Sequence, residues 1–76
     1  EIDANLANIR GATPLFISAG HGHVGAVSSL LRHRTILADQ PTQDGLTPLA
    51  VAAGYGHAAV VSQILDHPGI GANQAR

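Results

Sequence analysis

The chain matches itself after a shift of 34 residues, and this internal repeat constrains its fold more than any other feature. When residues 1–42 are set against residues 35–76, 17 of the 42 pairs are identical. A period of this length is typical of stacked repeats, in which one unit cannot bury its apolar face alone. The identical pairs include turn residues, helix-boundary residues and apolar residues: Gly11/Gly45, Thr13/Thr47, Pro14/Pro48, Leu15/Leu49, Gly22/Gly56, His23/His57 and Leu31/Leu65.

Each unit predicts a short first helix that begins at a Thr-Pro pair. The Thr13 hydroxyl can accept a hydrogen bond from an N–H of the first turn, and Pro14 suits the first helical position. The helix should continue to Ala19 and end at Gly20 and Gly22, because glycine readily adopts the left-handed conformation that terminates helices. The same signals recur 34 residues later, at Thr47, Pro48, Gly54 and Gly56.

A second helix is expected after the glycines, from about Val24 to Arg32, with an apolar stripe on one side. Each unit is therefore predicted to be two antiparallel helices joined by a tight glycine loop. The predicted stripes are Ala26, Val27, Leu30 and Leu31 in the first copy and Val60, Val61, Ile64 and Leu65 in the second. The predicted outer residues are Ser28 and Ser29, then Ser62 and Gln63.

The segments between the helix pairs carry turn signals rather than helical periodicity. Residues 35–45 contain Pro41 and end in Asp44-Gly45, which indicates an extended stretch followed by a turn. Related connector starts recur in register at residues 2–5, 36–39 and 70–73. The chain therefore holds two full helix pairs and three connector starts.

Composition excludes several functional classes. The net charge is −1 and all four basic residues are arginines, so nothing indicates binding to nucleic acid or to an anionic membrane. The sequence has no cysteine, which excludes disulfides and thiolate metal sites. No apolar run is long enough to span a membrane, and no signal-peptide pattern opens the chain. We expect an intracellular, cytoplasmic protein.

The turn and helix-boundary residues of the two units resemble those of the ankyrin repeat over essentially the whole chain. The matching stretches are Gly11 to Leu15 (GATPL) and Gly45 to Leu49 (GLTPL), followed by the Gly-His pairs. Asn5, Asp39 and Asn73 fall on the connector asparagine of the family. The resemblance implies an all-α solenoid of antiparallel helix pairs joined by extended or β-hairpin-like connectors.

On this resemblance we divide the chain as a single ankyrin-repeat domain over residues 1–76. A partial connector spans residues 1–7, the first repeat residues 8–41, the second repeat residues 42–72, and the start of a further connector residues 73–76. Two features depart from the family pattern. Phe16 and Ala50 replace the histidine that normally ties neighbouring repeats by hydrogen bonds, so each junction is expected to lose some rigidity. The connector is one residue longer than usual, which affects the geometry of the tip rather than the fold.

The histidines suggest a metal site at first sight, particularly His21-Gly22-His23. Zinc sites usually add cysteine or carboxylate ligands, and four of the five histidines recur in register between the copies. We therefore predict no metal and no cofactor, and assign structural roles to His23, His33, His57 and His67. His21 differs, because its counterpart is Tyr55, and this variable position is a candidate for recognition.

No catalytic group is predicted. Asp39 and Asp44 flank Pro41 without a third partner, which is typical of solvated turn carboxylates. Ser18 lies in no nucleophile-elbow pattern and is replaced by Ala52 in the second copy, so we interpret it as a small buried helix residue. We therefore expect the chain not to be an enzyme.

Specificity should lie where the two copies differ. The ankyrin resemblance implies partner contacts at the connector tips and on the concave face of the first helices. An exposed aromatic residue such as Tyr55 is the strongest anchor. The candidate partner-binding residues are Ile9, Arg10, Ala12, Phe16, His21, Gln43, Asp44, Leu46 and Tyr55.

Three functional hypotheses follow. In the first, the chain is a non-catalytic scaffold that binds another protein, with no nucleic-acid or membrane partner. In the second, uncapped repeats stack end to end into a homo-oligomer. In the third, the repeats select substrates for an enzyme whose catalytic domain lies outside this sequence.

Overall fold

A computed structural model describes residues 6–33 and 35–68, and these residues form four α-helices without a β-strand among them. None of the helices is long and apolar enough to cross a membrane. The all-α, two-pair architecture confirms the fold predicted from the repeat. The connector starts at residues 2–5 and 70–73 lie outside the described residues. The helices are α1 (Pro14–Gly20), α2 (Val24–Leu31), α3 (Pro48–Gly54) and α4 (Ala58–Leu65).

The first helix of each pair begins with the predicted cap. The Phe16 N–H donates to Thr13 Oγ1 at 3.1 Å, and the Ala50 N–H donates to Thr47 Oγ1 at 3.1 Å. A proline follows each threonine inside the first turn. These bonds satisfy one of the N–H groups that a helix start leaves without an intrahelical acceptor.

The glycine loops end the first helices as predicted, and the two glycines of each loop have different conformations. Gly20 and Gly54 are the last helical residues. The left-handed conformation is adopted two residues later, with φ of 71° at Gly22 and 77° at Gly56. The second helices end at Leu31 and Leu65, so α2 is one residue shorter than predicted because Arg32 is its C-cap.

Each connector ends in a tight turn that closes like the tip of a hairpin, and we call residues 8–12 and 42–46 the first and second connector tips. In the second tip the Gly45 N–H donates to the Thr42 carbonyl at 2.9 Å, and the Thr42 N–H donates to the Leu46 carbonyl at 2.8 Å. The first tip has the same pair of bonds. The tips therefore match the predicted β-hairpin-like connectors.

The core lies between the two helix pairs. Helix α1 packs against both α2 and α3, while α4 packs against α2 and α3. Small aliphatic side chains fill the space, as expected for closely stacked layers. The buried apolar cluster consists of Leu15, Ala19, Val27, Ala38, Ala52, Val60 and Ile64.

Burial of equivalent positions divides each repeat into two faces. Some positions are buried in the first repeat but not in the second, so they face forward, and we call them the C-terminal face. Others are buried only in the second repeat, so they face back, and we call them the N-terminal face. The first set is Ala12, Thr13, Leu15, Ala19 and Val27, and the second is Pro48, Ala52, Val60 and Ile64.

Two residues of the predicted apolar stripes are exposed, and two of the predicted outer residues, Ser28 and Gln63, are half-buried. Ala26 is exposed although its counterpart Val60 is fully buried, because no repeat among the described residues covers the N-terminal face of the first repeat. Leu65 is 48% exposed for the matching reason at the other end. Gln63, predicted to point outward, is half-buried against the first repeat.

Candidate protein-binding surface

Several hydrogen bonds link the second repeat to the first. At the tips, the Gln43 N–H donates to the Arg10 carbonyl at 3.1 Å, and Gln43 Nε2 donates to the Ile9 carbonyl at 2.9 Å. Gln63 Nε2 donates to the Val24 carbonyl at 3.3 Å, while Gln63 Oε1 is buried and has no partner. Donors of the second repeat thus meet backbone carbonyls of the first.

His57 makes the most enclosed of these bonds. Its Nε2 lies 3.0 Å from the Gly20 carbonyl, and a carbonyl oxygen only accepts, so Nε2 must carry the proton. The imidazole lies over Gly22, where an added Cβ would come within 2.8 Å of His57 Nδ1. The predicted structural role is therefore confirmed for His57. It remains a prediction for His23, His33 and His67.

We expect His57→Ala to lower the free energy of unfolding by about 1–2 kcal/mol, because it removes a half-buried hydrogen bond and leaves a gap over Gly22. His23→Ala is the matched control. His23 occupies the same motif position but is exposed, and we expect a change below about 0.5 kcal/mol. Urea denaturation followed by circular dichroism measures both; equal losses would show that the junction bond contributes nothing specific.

Four of the six candidate residues in the connector tips are both exposed and free to contact a partner, whereas Gln43 and Ala12 are not. Ile9 is 89% exposed, and Arg10, Asp44 and Leu46 are also exposed. Gln43 is exposed but its side-chain amide is already engaged by the first tip. Ala12 does not fit the candidate list: it is buried in the core, because the second repeat packs over it, and it offers a partner little surface.

The other candidate residues line a groove between α1 and α3. This groove encloses about 380 Å³, and we call it the α1–α3 groove. Phe16, His21 and Tyr55, all predicted from the differences between the copies, contribute to its wall. The lining contains no acidic or basic side chain other than the imidazole. Its residues are Phe16, Ile17, Gly20, His21, Val51 and Tyr55.

His21 and Tyr55 stand at equivalent helix ends and give the groove its polar groups. Each is the C-cap of its helix. His21 Nδ1 lies 2.8 Å from the Ile17 carbonyl and must donate to it, so in the neutral ring Nε2 is left as an acceptor. Tyr55 is 70% exposed, so its ring and hydroxyl are accessible at the rim. The groove therefore has an apolar floor flanked by hydrogen-bonding groups.

Comparison of the copies missed three residues of this groove: Ile17, Gly20 and Val51. Ile17 and Val51 occupy the same position and are both aliphatic, so the change between them alters neither charge nor polarity. A usable signal was present in their spacing. Each lies four residues before a variable position, His21 or Tyr55, and residues four apart share a helix face.

The candidate residues form two patches rather than one. The tips precede the first turns of α1 and α3, whereas His21 and Tyr55 follow their last turns. A seven-residue helix separates its ends by about 10 Å, which sets the spacing of the two patches along each first helix. Phe16 lies in the first turn of α1, between them.

The described residues contain no group of three or more His, Asp or Glu side chains that could hold a metal ion. His21 and His23 do stack, with ring centroids 5.6 Å apart and planes 7° apart. His21 Nδ1 lies 2.8 Å from the Ile17 carbonyl.

Stacked helix pairs with capped first helices and hairpin-like tips define a helical-repeat protein. A family model described as ankyrin repeats (3 copies) matches residues 1–76, and the chain therefore belongs to the ankyrin repeat family. The search of curated proteins finds no match for the chain. Ankyrin repeats are generally protein–protein interaction modules, and the family is typically non-catalytic.

Proposed function

We propose that this chain is a non-catalytic scaffold that binds another protein through the α1–α3 groove and the connector tips. The observation that carries the proposal is the groove itself. It lies across both repeats and combines an apolar floor with a 70% exposed tyrosine at its rim. Exposed aromatic side chains beside apolar pockets are common anchors of protein interfaces.

The groove chemistry indicates what the partner contributes. Phe16, Ile17 and Val51 offer apolar surface without charge, which favours an aliphatic or aromatic side chain in the groove. The acceptor at His21 Nε2 suits an N–H or hydroxyl group beside that side chain. The charged tip residues Arg10 and Asp44, which precede α1 and α3, would add orientation rather than affinity.

A displayed peptide library panned against the chain tests this proposal. For the selected peptides we expect Tyr55→Ala to weaken binding about tenfold or more and His21→Ala about three- to tenfold, measured by fluorescence polarisation. Both side chains are exposed, so the melting temperature should fall by less than about 3 °C. Arg32→Ala, exposed at the end of α2, is the control and should leave binding unchanged.

Two outcomes would refute the proposal. Peptides that bind both groove variants as tightly as the unaltered chain would place the site elsewhere. A large loss of folding in Tyr55→Ala or His21→Ala would show that these residues are structural.

We likewise propose that the chain carries out no reaction of its own. Support comes from its two best sequence candidates. Asp44 is exposed in the second connector tip, and Asp39 is exposed in the connector before Pro41. A carboxylate in such a position has no enclosed pocket in which to act on a substrate. If the chain selects substrates for an enzyme, the same groove would hold them, and the peptide experiment applies unchanged.

A further inference from the structure

The C-terminal face of the second repeat has no partner among the described residues, although the same face of the first repeat is packed. Ala19 and Val27 are fully buried, whereas their counterparts Ala53 and Val61 are exposed and half-buried. The opening beside them encloses about 430 Å³. It is lined by Ala53, Gly56, Ala58, Val61, Ser62 and Leu65.

The glycines at the ends of α1 and α3 show the same difference between the two repeats in their distances to neighbouring atoms. A Cβ on Gly20 would meet Val51 Cγ2 at 3.4 Å, and one on Gly22 would meet the His57 ring at 2.8 Å. A Cβ on their counterparts, Gly54 and Gly56, would meet nothing within 4 Å. The second repeat therefore carries the small residues that admit an incoming repeat, at the positions where the first repeat uses them.

We propose that this face binds the N-terminal face of the first repeat of a second copy of the chain, in a head-to-tail contact. The junction within the chain specifies the geometry, because the two units are related by the 34-residue repeat. Continuing the same relation by two repeats, about 68 residues, places the second copy directly after the first. The contact is heterologous, so it leaves one free face at each end.

The first repeat supplies groups suited to this contact. His23 matches His57 and would lie over Gly56, with its Nε2 donating to the Gly54 carbonyl. Ile17, 43% exposed, matches Val51 and would cover Gly54. The first tip of one copy would lie beside the second tip of the other, which brings Arg10 next to Asp44. These charges are opposite, so a second copy complements the face electrostatically.

The residues at this contact also limit the affinity. Ile9 and Ser29 replace Gln43 and Gln63, which removes two side-chain hydrogen bonds found in the junction. We therefore expect weak, concentration-dependent association rather than a permanent oligomer.

Glutamate substitutions at exposed alanines test the contact in the full chain. Ala53→Glu places a charge in the C-terminal face of the second repeat, at the position where Ala19 is fully buried in the first. Ala26→Glu places one in the N-terminal face of the first repeat, at the position where Val60 is fully buried in the second. Ala59→Glu is the control: it is also exposed, and an added Cβ on its counterpart, Gly25, would meet nothing within 4 Å.

Sedimentation equilibrium from about 10 µM to about 1 mM should show the average mass of the unaltered chain rising with concentration. Ala53→Glu and Ala26→Glu should each weaken association about tenfold or more, and Ala59→Glu less than about twofold. An equimolar mixture of the first two should recover association but stop at a dimer, because each variant keeps one intact face. Ala53→Lys is a second variant at the same position should Ala53→Glu lose its helical signal, because a positive charge is favourable in the last turn of α3.

Three results would overturn the proposal. One is a monomer throughout the concentration range. Another is an Ala59→Glu variant as impaired as Ala53→Glu, which would indicate non-specific association. The third is a mixture of Ala26→Glu and Ala53→Glu that stays monomeric. The peptide experiment on the α1–α3 groove is independent of all three, because none of these alanines lines the groove.

Discussion

Leu15→Ala should lower the free energy of unfolding by about 3–5 kcal/mol, whereas Leu49→Ala, the same motif position in the second repeat, should lower it by about 1–2 kcal/mol. Leu15 has no exposed surface, so its truncation leaves a cavity enclosed on all sides. Leu49 is only half-buried. Its removal costs less because water already reaches part of the side chain.

The size of the Leu15 effect is large for a chain of 76 residues. Small domains have stabilities of about 5–15 kcal/mol, and those with the least buried surface lie at the bottom of that range. Leu15→Ala should therefore remove most of the stability. Urea titrations monitored by circular dichroism at low micromolar concentration measure both variants under conditions where self-association is minimal.

Leu15→Val gives a graded measurement if Leu15→Ala proves too unstable to analyse, with an expected loss of about 1–1.5 kcal/mol. Losses of equal size for Leu15→Ala and Leu49→Ala would contradict the asymmetry. They would mean that the C-terminal face of the second repeat is as well covered as that of the first.

The helices and turns could be predicted from the sequence because their signals depend on residues close together in the chain. The Thr-Pro helix starts, the glycine loops and the Asp-Gly turn each act within a few residues, and each formed where the sequence predicted it. Helix bounds were accurate to within a residue or so for the same reason. A threonine hydroxyl or a glycine φ depends on its immediate neighbours, and the repeat showed the same signals twice.

The direction in which each residue faces was not predictable from the repeat, because equal residues occupy unequal places. Ala19 and Ala53 are identical and in register, yet one is fully buried and the other exposed. The difference comes from the neighbouring repeat, not from the residue. The same reason explains why Ala26 and Leu65, which belong to the predicted apolar stripes, are exposed.

The candidate site was predicted in part. Differences between the copies located Phe16, His21 and Tyr55, which line one groove. They also selected Ala12, which is buried, since a difference in sequence does not reveal exposure. Gln43 differs from Ile9 because it ties the two tips together, so part of the variation serves stacking rather than recognition.

Gly22→Ala and Gly56→Ala should separate backbone strain from the cost of disturbing the junction. Both glycines have positive φ, 71° and 77°, so alanine introduces similar strain at each position. We expect Gly56→Ala to lower the free energy of unfolding by about 1 kcal/mol. At Gly22 the new Cβ would also lie 2.8 Å from His57 Nδ1 and 2.9 Å from Cε1, so the loss should reach about 2–4 kcal/mol.

A double-mutant cycle with His57→Ala identifies the cause of the extra loss. The His57 ring cannot move away from Gly22 without giving up its 3.0 Å bond to the Gly20 carbonyl. Without the ring, the new Cβ would have room, and the cost of Gly22→Ala in the His57→Ala background should fall to that of Gly56→Ala. The resulting coupling energy should be about 1–3 kcal/mol. A cost that stays high without the imidazole would show that the loop backbone, rather than the contact between repeats, requires glycine at this position.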